Sequence, residues 1–163
     1  MNSPQIFLSY AGEDAFEAIL LKDAIEALLK DVGVRVWAFG RDQAKDQRSI
    51  GTSLKEQVRG SVAVIILLSR FTLESGATQW MELAYADAFG IPAFILLHHL
   101  TFDELKRSER GAPPLVLEGQ CTIALEWRSL ENGLRVCCAK AIGVPIPSKK
   151  RRKQTRKKKR THE

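Results

Sequence analysis

Six residues whose side chains suit binding or catalysis stand at or just after the ends of short apolar runs. They are Ser9, Tyr10, Ser69, Arg70, His98 and His99. Ser69 and Arg70 could bind phosphates or a ribose, although Ser69 suits the N-cap of a following helix equally well. The two histidines are adjacent, so in a strand their side chains face opposite ways, and they come without a third ligand. We therefore predict no metal site.

Five apolar runs, short and rich in β-branched or aromatic residues, predict five strands. They cover residues 5–9, 34–37, 62–68, 93–97 and 122–125. The run at 62–68, VAVIILL, does not alternate with polar residues, so both of its faces must be covered, as in a parallel sheet flanked by helices. Ligands of such sheets bind outside the carboxyl ends of the strands. The six residues above are therefore expected at one functional edge.

Between these runs, apolar residues recur at intervals of three and four, which predicts helices. The first helix is expected to begin at Asp14, whose carboxylate would accept from free backbone amides while Glu17 reaches back to the cap. Its core face is predicted to comprise Phe16, Ile19, Leu20, Ala24, Ala27 and Leu28. Further helices are predicted at 50–59, 79–89, 102–107 and 130–142. The alternation indicates one doubly wound α/β domain.

Charge is divided unevenly along the chain. Residues 149–163 hold ten of the 25 Lys and Arg and one of the 19 acids, a formal charge of +9, so the preceding residues carry −3. Such a segment cannot bury apolar surface and repels itself, which predicts a disordered tail at 148–163 after a domain at 1–147. An anionic membrane, a nucleic acid or, in a nucleated cell, import machinery could bind this tail, or it could be solubilising without a dedicated partner.

The cysteines and the N-terminal segment indicate the cellular location to expect. Cys121, Cys137 and Cys138 cannot form an extracellular disulfide framework and are interpreted as small core or interface residues. The chain starts without a basic segment followed by a long apolar one, and no apolar run approaches the roughly 20 residues that cross a bilayer. We expect a soluble, cytoplasmic protein.

Four phrases in fixed order resemble one family. They are IFLSYAGED at 6–14, VRVW at 34–37 followed by Arg41-Asp42, the strand ending in LLS at 69, and WMELAYA at 80–86 with GIP at 90–92. Together they are similar to Toll/interleukin-1 receptor (TIR) domains over roughly residues 5–142. The resemblance implies a flavodoxin-like, doubly wound, five-stranded parallel sheet in the order 2-1-3-4-5.

The resemblance also implies a catalytic carboxylate. In the NAD-cleaving branch of the family, a glutamate after strand three contacts the ribose beside nicotinamide, and this position corresponds to Glu82. A carboxylate there would offset the oxocarbenium character that develops when the glycosidic bond breaks. Glu82 could instead be an exposed acid that favours a helix N-terminus. The remaining implied substrate-binding residues are Ser9, Tyr10, Ala11, Phe39, Arg41, Asp42, Ser69 and Arg70, of which Phe39, Arg41 and Asp42 belong to the BB loop that meets a neighbouring subunit.

The chain departs from the family pattern at one tryptophan. The family places Trp four residues before the glutamate, whereas Trp80 stands two before Glu82. Two steps of about 100° put these residues on nearly opposite helix faces, so Trp80 is expected to pack elsewhere.

The expected function is that of a TIR NAD+ nucleosidase. It would release nicotinamide and ADP-ribose or a cyclic isomer, with NAD+ as substrate and no separate cofactor. Activity would depend on self-association, and the product would serve immune or antiphage signalling through a downstream effector. The alternative is a non-enzymatic TIR adaptor that signals through TIR–TIR contacts alone.

Overall fold

A parallel sheet lies at the centre of the computed structural model, which describes residues 3–38, 50–108, 122–124 and 127–143. Its strands are β1 (Gln5–Tyr10), β2 (Arg35–Ala38), β3 (Ala63–Leu68), β4 (Ala93–Leu97) and β5 (Thr122–Ala124). They pair in the order β2-β1-β3-β4-β5, all in parallel. The predicted α/β class and strand order are confirmed.

Helices cover both faces of the sheet. They are α1 (Ala15–Leu28), α2 (Ile50–Arg59), α3 (Arg70–Ser75), α4 (Ala77–Ala88), α5 (Phe102–Arg107) and α6 (Trp127–Ile142), with 3-10 turns at Gly12–Asp14 and Lys30–Val32. Of these, α3 was not predicted as a separate helix, although the N-cap role considered for Ser69 places the start of a helix at this point. Ser69 precedes α3, and its backbone N–H donates to Thr72 Oγ1 at 3.2 Å, half of a capping box.

The core is split into two layers by the alternation of strand side chains. In β1, Ile6 and Leu8 pack with α1 and α6, whereas Phe7 packs with the cluster that includes residues of α2, α4 and α5. In β3 every residue is buried, as the unbroken apolar run predicts. Because helices of the described part of the chain cover both faces of the sheet, the carboxyl ends of the strands are where a ligand is expected.

The buried face of α1 differs from the predicted one. Ala18, Ile25 and Leu29 meet the sheet, whereas Phe16 is 70% exposed and Leu20 is 54% exposed. Ile19, Ala24 and Ala27 are also exposed, and Leu28 is only partly buried. Apolar residues surround this helix, so periodicity allowed two faces, and packing on the sheet selected the one with the small Ala18.

The predicted capping role of Asp14 is also wrong. Asp14 ends the 3-10 turn, and its side chain makes no capping hydrogen bond to α1. Instead Asp14 Oδ2 accepts a 2.5 Å hydrogen bond from Ser69 Oγ, and Asp14 is 3% exposed. A long-range contact to the end of β3 therefore replaces the local one.

Several predictions lie outside the described residues: the BB-loop residues Phe39, Arg41 and Asp42, the cysteine Cys121 and the basic tail at 148–163. Within the described ranges, no helix combines the length and apolarity required to cross a membrane.

Candidate active site

A serine and a glutamate that are 73 positions apart in sequence meet at the carboxyl edge of the sheet. Ser9 lies near the end of β1, in register with Ile66 of β3. Glu82 is the sixth residue of α4, the helix that runs back along β3. The Ser9 Oγ hydroxyl donates a short hydrogen bond to Glu82 Oε2. Both side chains are buried, Ser9 at 2% exposure and Glu82 at 4%, so Glu82 is not an exposed acid at a helix N-terminus.

A cavity of about 450 Å³ adjoins this pair. Residues 9–13 and 15 form one wall as the chain leaves β1, and residues 75, 76, 78, 79 and 82 form the other. The volume lies within the range of about 300–1,000 Å³ that is usual for small-molecule sites. Tyr10 and Ala11, which the resemblance assigns to substrate binding, line the cavity together with Ser9.

The start of α4 is held close to α3 by Gly76. The Gly76 N–H donates to Thr72 O at 2.8 Å. A Cβ at position 76 would stand 2.2 Å from the same carbonyl oxygen, so only glycine fits. This tight joint brings the first turns of α4 to the cavity wall.

Burial dominates the electrostatics of Glu82. It raises the pKa of Glu82 to about 7, while the hydrogen bond from Ser9 acts in the opposite direction. Desolvation disfavours the charged carboxylate, and one hydroxyl offsets only part of that cost. The group therefore changes charge near neutral pH, which is common for residues of active sites.

Gln79 stands one helical turn before Glu82 and lines the same cavity. Its Nε2 donates to the Leu67 carbonyl oxygen at 3.3 Å. Because that carbonyl can only accept, the amide is oriented with Oε1 away from it. Among the described residues, Gln79 Oε1 is a buried oxygen without a hydrogen-bond partner. Sequence reasoning missed Gln79, although its three-residue spacing from Glu82 places both on one helix face.

Trp80 packs away from this cavity, as its spacing predicted. It is partly buried against the core cluster on the α2, α4 and α5 side of the sheet. Thr78 occupies the position four residues before Glu82 and lines the cavity in place of an aromatic ring. The cavity is therefore bounded by small and polar groups at this point.

Ser69 and Arg70 belong to a neighbouring cavity. It measures about 620 Å³ and is also lined by Glu13, Asp14, Glu17, Phe71, Glu74, His98 and His99. Ser69 bonds to Asp14, while Arg70 Nη2 donates to Glu104 Oε1 at 2.8 Å. Of the predicted substrate-binding residues that the structure describes, Ser9, Tyr10 and Ala11 share the cavity of Glu82. Ser69 and Arg70 do not.

A comparison with models of protein families agrees with this fold. The model of the TIR domain family matches residues 6–112, about two thirds of the chain. The chain belongs to the TIR domain family. The predicted family is thereby confirmed. No curated protein matches the sequence of this TIR domain.

Solved structures share the architecture at low sequence identity. The TIR domains of the activated Roq1 resistosome, which directly recognises the pathogen effector XopQ, are 15% identical, with a TM-score of 0.51 over 88% of this chain and 86% of that one. A 2-deoxyribosyltransferase from Leishmania mexicana is 16% identical, with a TM-score of 0.55 over 77% and 93%. One from the bacterium Bacillus psychrosaccharolyticus is 12% identical, with a TM-score of 0.50 over 78% and 90%. At these identities the likeness establishes the fold alone.

Proposed function

We propose that this TIR domain cleaves the nicotinamide glycosidic bond of NAD+. The observation that carries the proposal is the Glu82 carboxylate, buried beside Ser9 in a cavity at the carboxyl edge of the sheet. The family includes NAD-cleaving enzymes, and the cavity has a volume suited to the nicotinamide ribose end of the dinucleotide.

The chemistry follows from the charge that develops on the sugar. As nicotinamide leaves with the bonding electrons, positive charge spreads over C1′ and the ring oxygen of the ribose. An ionised Glu82 offsets this charge in a site shielded from water, where electrostatic interactions are strong. Nicotinamide departs as a neutral molecule, so no strong general acid is required. Ser9 orients the carboxylate, and Tyr10 offers a ring for stacking.

The same intermediate leads to either product. Attack of water at C1′, with loss of a proton, gives ADP-ribose, and attack by a nucleophile of the remaining ADP-ribose gives a cyclic isomer. NAD+ is the substrate in both cases, and the reaction needs no other cofactor. In the cell, the product would act on a downstream effector in immune or antiphage signalling.

Self-association is part of the proposal, and α1 supplies a surface for it. Phe16 and Leu20 are more than half exposed, with Ile19 at 37% beside them. The three positions share one helix face and form an apolar stripe that water disfavours. Ala15 lines the Glu82 cavity and Phe16 follows it, so a second copy bound to this stripe would stand next to the cavity.

The stripe equally favours the second candidate function, a TIR adaptor that acts only through contacts between copies. The two functions differ in the role of Glu82. An adaptor needs no buried carboxylate, whereas the enzyme depends on it.

The decisive experiment incubates the full chain with NAD+ and follows nicotinamide release, with assembly checked by light scattering. Wild type is compared with Glu82→Gln and with the matched control Glu56→Gln, which alters an exposed acid on α2. We expect release from wild type and control, reduced at least about 100-fold in Glu82→Gln. Equal release from all three would refute the assignment of Glu82. Assembly without release from any of them would favour the adaptor.

A further inference from the structure

The second cavity at the sheet edge brings together three metal-ligating side chains from two segments that are distant in sequence. Asp14 ends the 3-10 turn after β1, Glu17 lies in the first turn of α1, and His98 follows β4. One ligand atom of each lies within 4.8 Å of the other two. His98 Nε2 stands 3.9 Å from Glu17 Oε1. The sequence places Glu17 and His98 81 positions apart, so only the fold reveals the set.

We propose that Asp14, Glu17 and His98 bind a divalent transition-metal ion of the Zn²⁺ type. Two carboxylate oxygens and one imidazole nitrogen are donors that Zn²⁺ accepts in proteins, with a water completing the coordination. Mg²⁺ and Ca²⁺ prefer oxygen donors alone, so the imidazole selects against them. The inference concerns a cavity separate from that of Glu82 and does not depend on NAD+ cleavage.

Asp14 is already oriented for such a role. The hydroxyl of Ser69 donates to Asp14 Oδ2 at 2.5 Å, which restrains the carboxylate beside the other two groups. Outer hydrogen bonds of this kind hold metal-binding carboxylates in place. Asp14 is 3% exposed, and a carboxylate removed from water is stabilised by a nearby cation. Among the described residues, no lysine or arginine forms an ion pair with Asp14.

The other two ligands have room to adjust. Zinc bonds of about 2.0–2.2 Å place tetrahedral ligands roughly 3.5 Å apart, so the three groups must approach by about 1 Å. The side chains of His98 and Glu17 are 23% and 41% exposed, which leaves them free to make this movement. Arg70, which lines the same cavity, has its guanidinium bonded to Glu104 rather than to the cluster. Metal binding would tie the start of α1 to the end of β4.

The test titrates Zn²⁺ into the full chain, purified without a histidine tag and freed of metal with a chelator. We expect one equivalent to bind, measured by calorimetry, and to raise Tm. Co²⁺ in place of Zn²⁺ should give the visible absorption of a site with nitrogen and oxygen ligands. His98→Gln and Glu17→Gln should each weaken binding at least 100-fold, and Ser69→Ala should weaken it about 10-fold.

The matched control is His99→Gln, which alters the exposed neighbouring histidine of the same cavity. It should bind Zn²⁺ like the wild type. Binding that survives both His98→Gln and Glu17→Gln would place the ion elsewhere, for example on Cys137 or His162, and would overturn the proposal. So would the absence of saturable binding by folded wild type. A rise in Tm with Mg²⁺ equal to that with Zn²⁺ would refute the proposed class of ion. Because the Glu17 side chain is partly exposed, the Glu17→Gln variant is expected to fold. The test therefore does not depend on substituting the buried Asp14.

Discussion

Each of the two cavities at the carboxyl edge of the sheet contains a serine hydroxyl that donates a hydrogen bond to a buried carboxylate. Ser9, near the end of β1, donates to Glu82, which follows β3. Ser69, just after β3, donates to Asp14, which follows β1. Each of the two central strands thus ends with a hydroxyl that orients a carboxylate carried by the other strand's next segment.

The two cavities differ in the groups that lie next to the carboxylate. Glu82 has Ser9 and Gln79 nearby and, within the described residues, forms no ion pair with a lysine or arginine, so burial dominates the shift of its pKa. Asp14 lies within reach of Glu17 and His98. Under the two proposals above, the same kind of hydroxyl–carboxylate pair would stabilise a developing charge in one cavity and bind a metal ion in the other, because His98 stands beside Asp14 alone.

The largest effect that we predict is on stability, because ionisation of Glu82 opposes folding. Its pKa is 4.5 when unfolded and about 7 when folded. Between these values the folded state binds more protons than the unfolded one, so the free energy of unfolding falls as pH rises, by about 3 kcal/mol in all. Glu82→Gln should therefore be more stable than wild type by about 3 kcal/mol at pH 8. Urea unfolding at pH 8 and pH 4 measures the difference.

At pH 4 both folded and unfolded wild type hold the proton, so this advantage should vanish. Glu56→Gln, on the surface, should show no such pH dependence. A stability difference for Glu82→Gln that is the same at both pH values would show that ionisation of Glu82 is not its cause.

The next effect is on the rate of NAD+ cleavage. If ionised Glu82 stabilises the developing cation, kcat/KM should rise about tenfold per pH unit up to pH 7 and level off above it. The corresponding rise of kcat should occur at lower pH than that of kcat/KM, because the positive charge of bound NAD+ lowers the pKa of a nearby carboxylate. Initial rates of nicotinamide release from pH 5 to 9 measure both. A rate that instead falls as pH rises would assign Glu82 the role of a general acid.

The sequence predicted the structure correctly where a local pattern of residues determines it. The unbroken run ending at Leu68 predicts a buried parallel strand, and the two-residue spacing of Trp80 and Glu82 predicts their separation. It failed on α1, where apolar side chains surround the helix and Phe16 was assigned to the core. The meeting of His98 with Asp14 could not be predicted either, because only the packing of three strands brings them together. The local pattern predicted Asp14 as a cap, and a tertiary hydrogen bond to Ser69 took its place.

A smaller effect separates the two serines. Loss of the Ser9 hydroxyl removes the hydrogen bond that lowers the pKa of Glu82, so Ser9→Ala should move the pH limb of kcat/KM toward alkaline pH by about one unit. The rate at pH 7 would then fall several-fold and recover at pH 9. Recovery distinguishes the loss of a positioning residue from damage to the fold. Ser69→Ala serves as the control, because it acts on Asp14 and should leave this limb unchanged while weakening Zn²⁺ binding.

The smallest effect concerns the unpartnered amide oxygen beside Glu82. Gln79→Met removes a buried oxygen that has no hydrogen-bond partner, which stabilises the fold, and it also removes the 3.3 Å hydrogen bond to the Leu67 carbonyl oxygen, which destabilises it. The two effects oppose each other, so the free energy of unfolding should change by less than about 1 kcal/mol. A hydroxyl or amide of the substrate can supply the missing donor. KM for NAD+ should then rise up to about tenfold in Gln79→Met while kcat changes little. An unchanged KM would show that Gln79 shapes the cavity wall without binding the substrate.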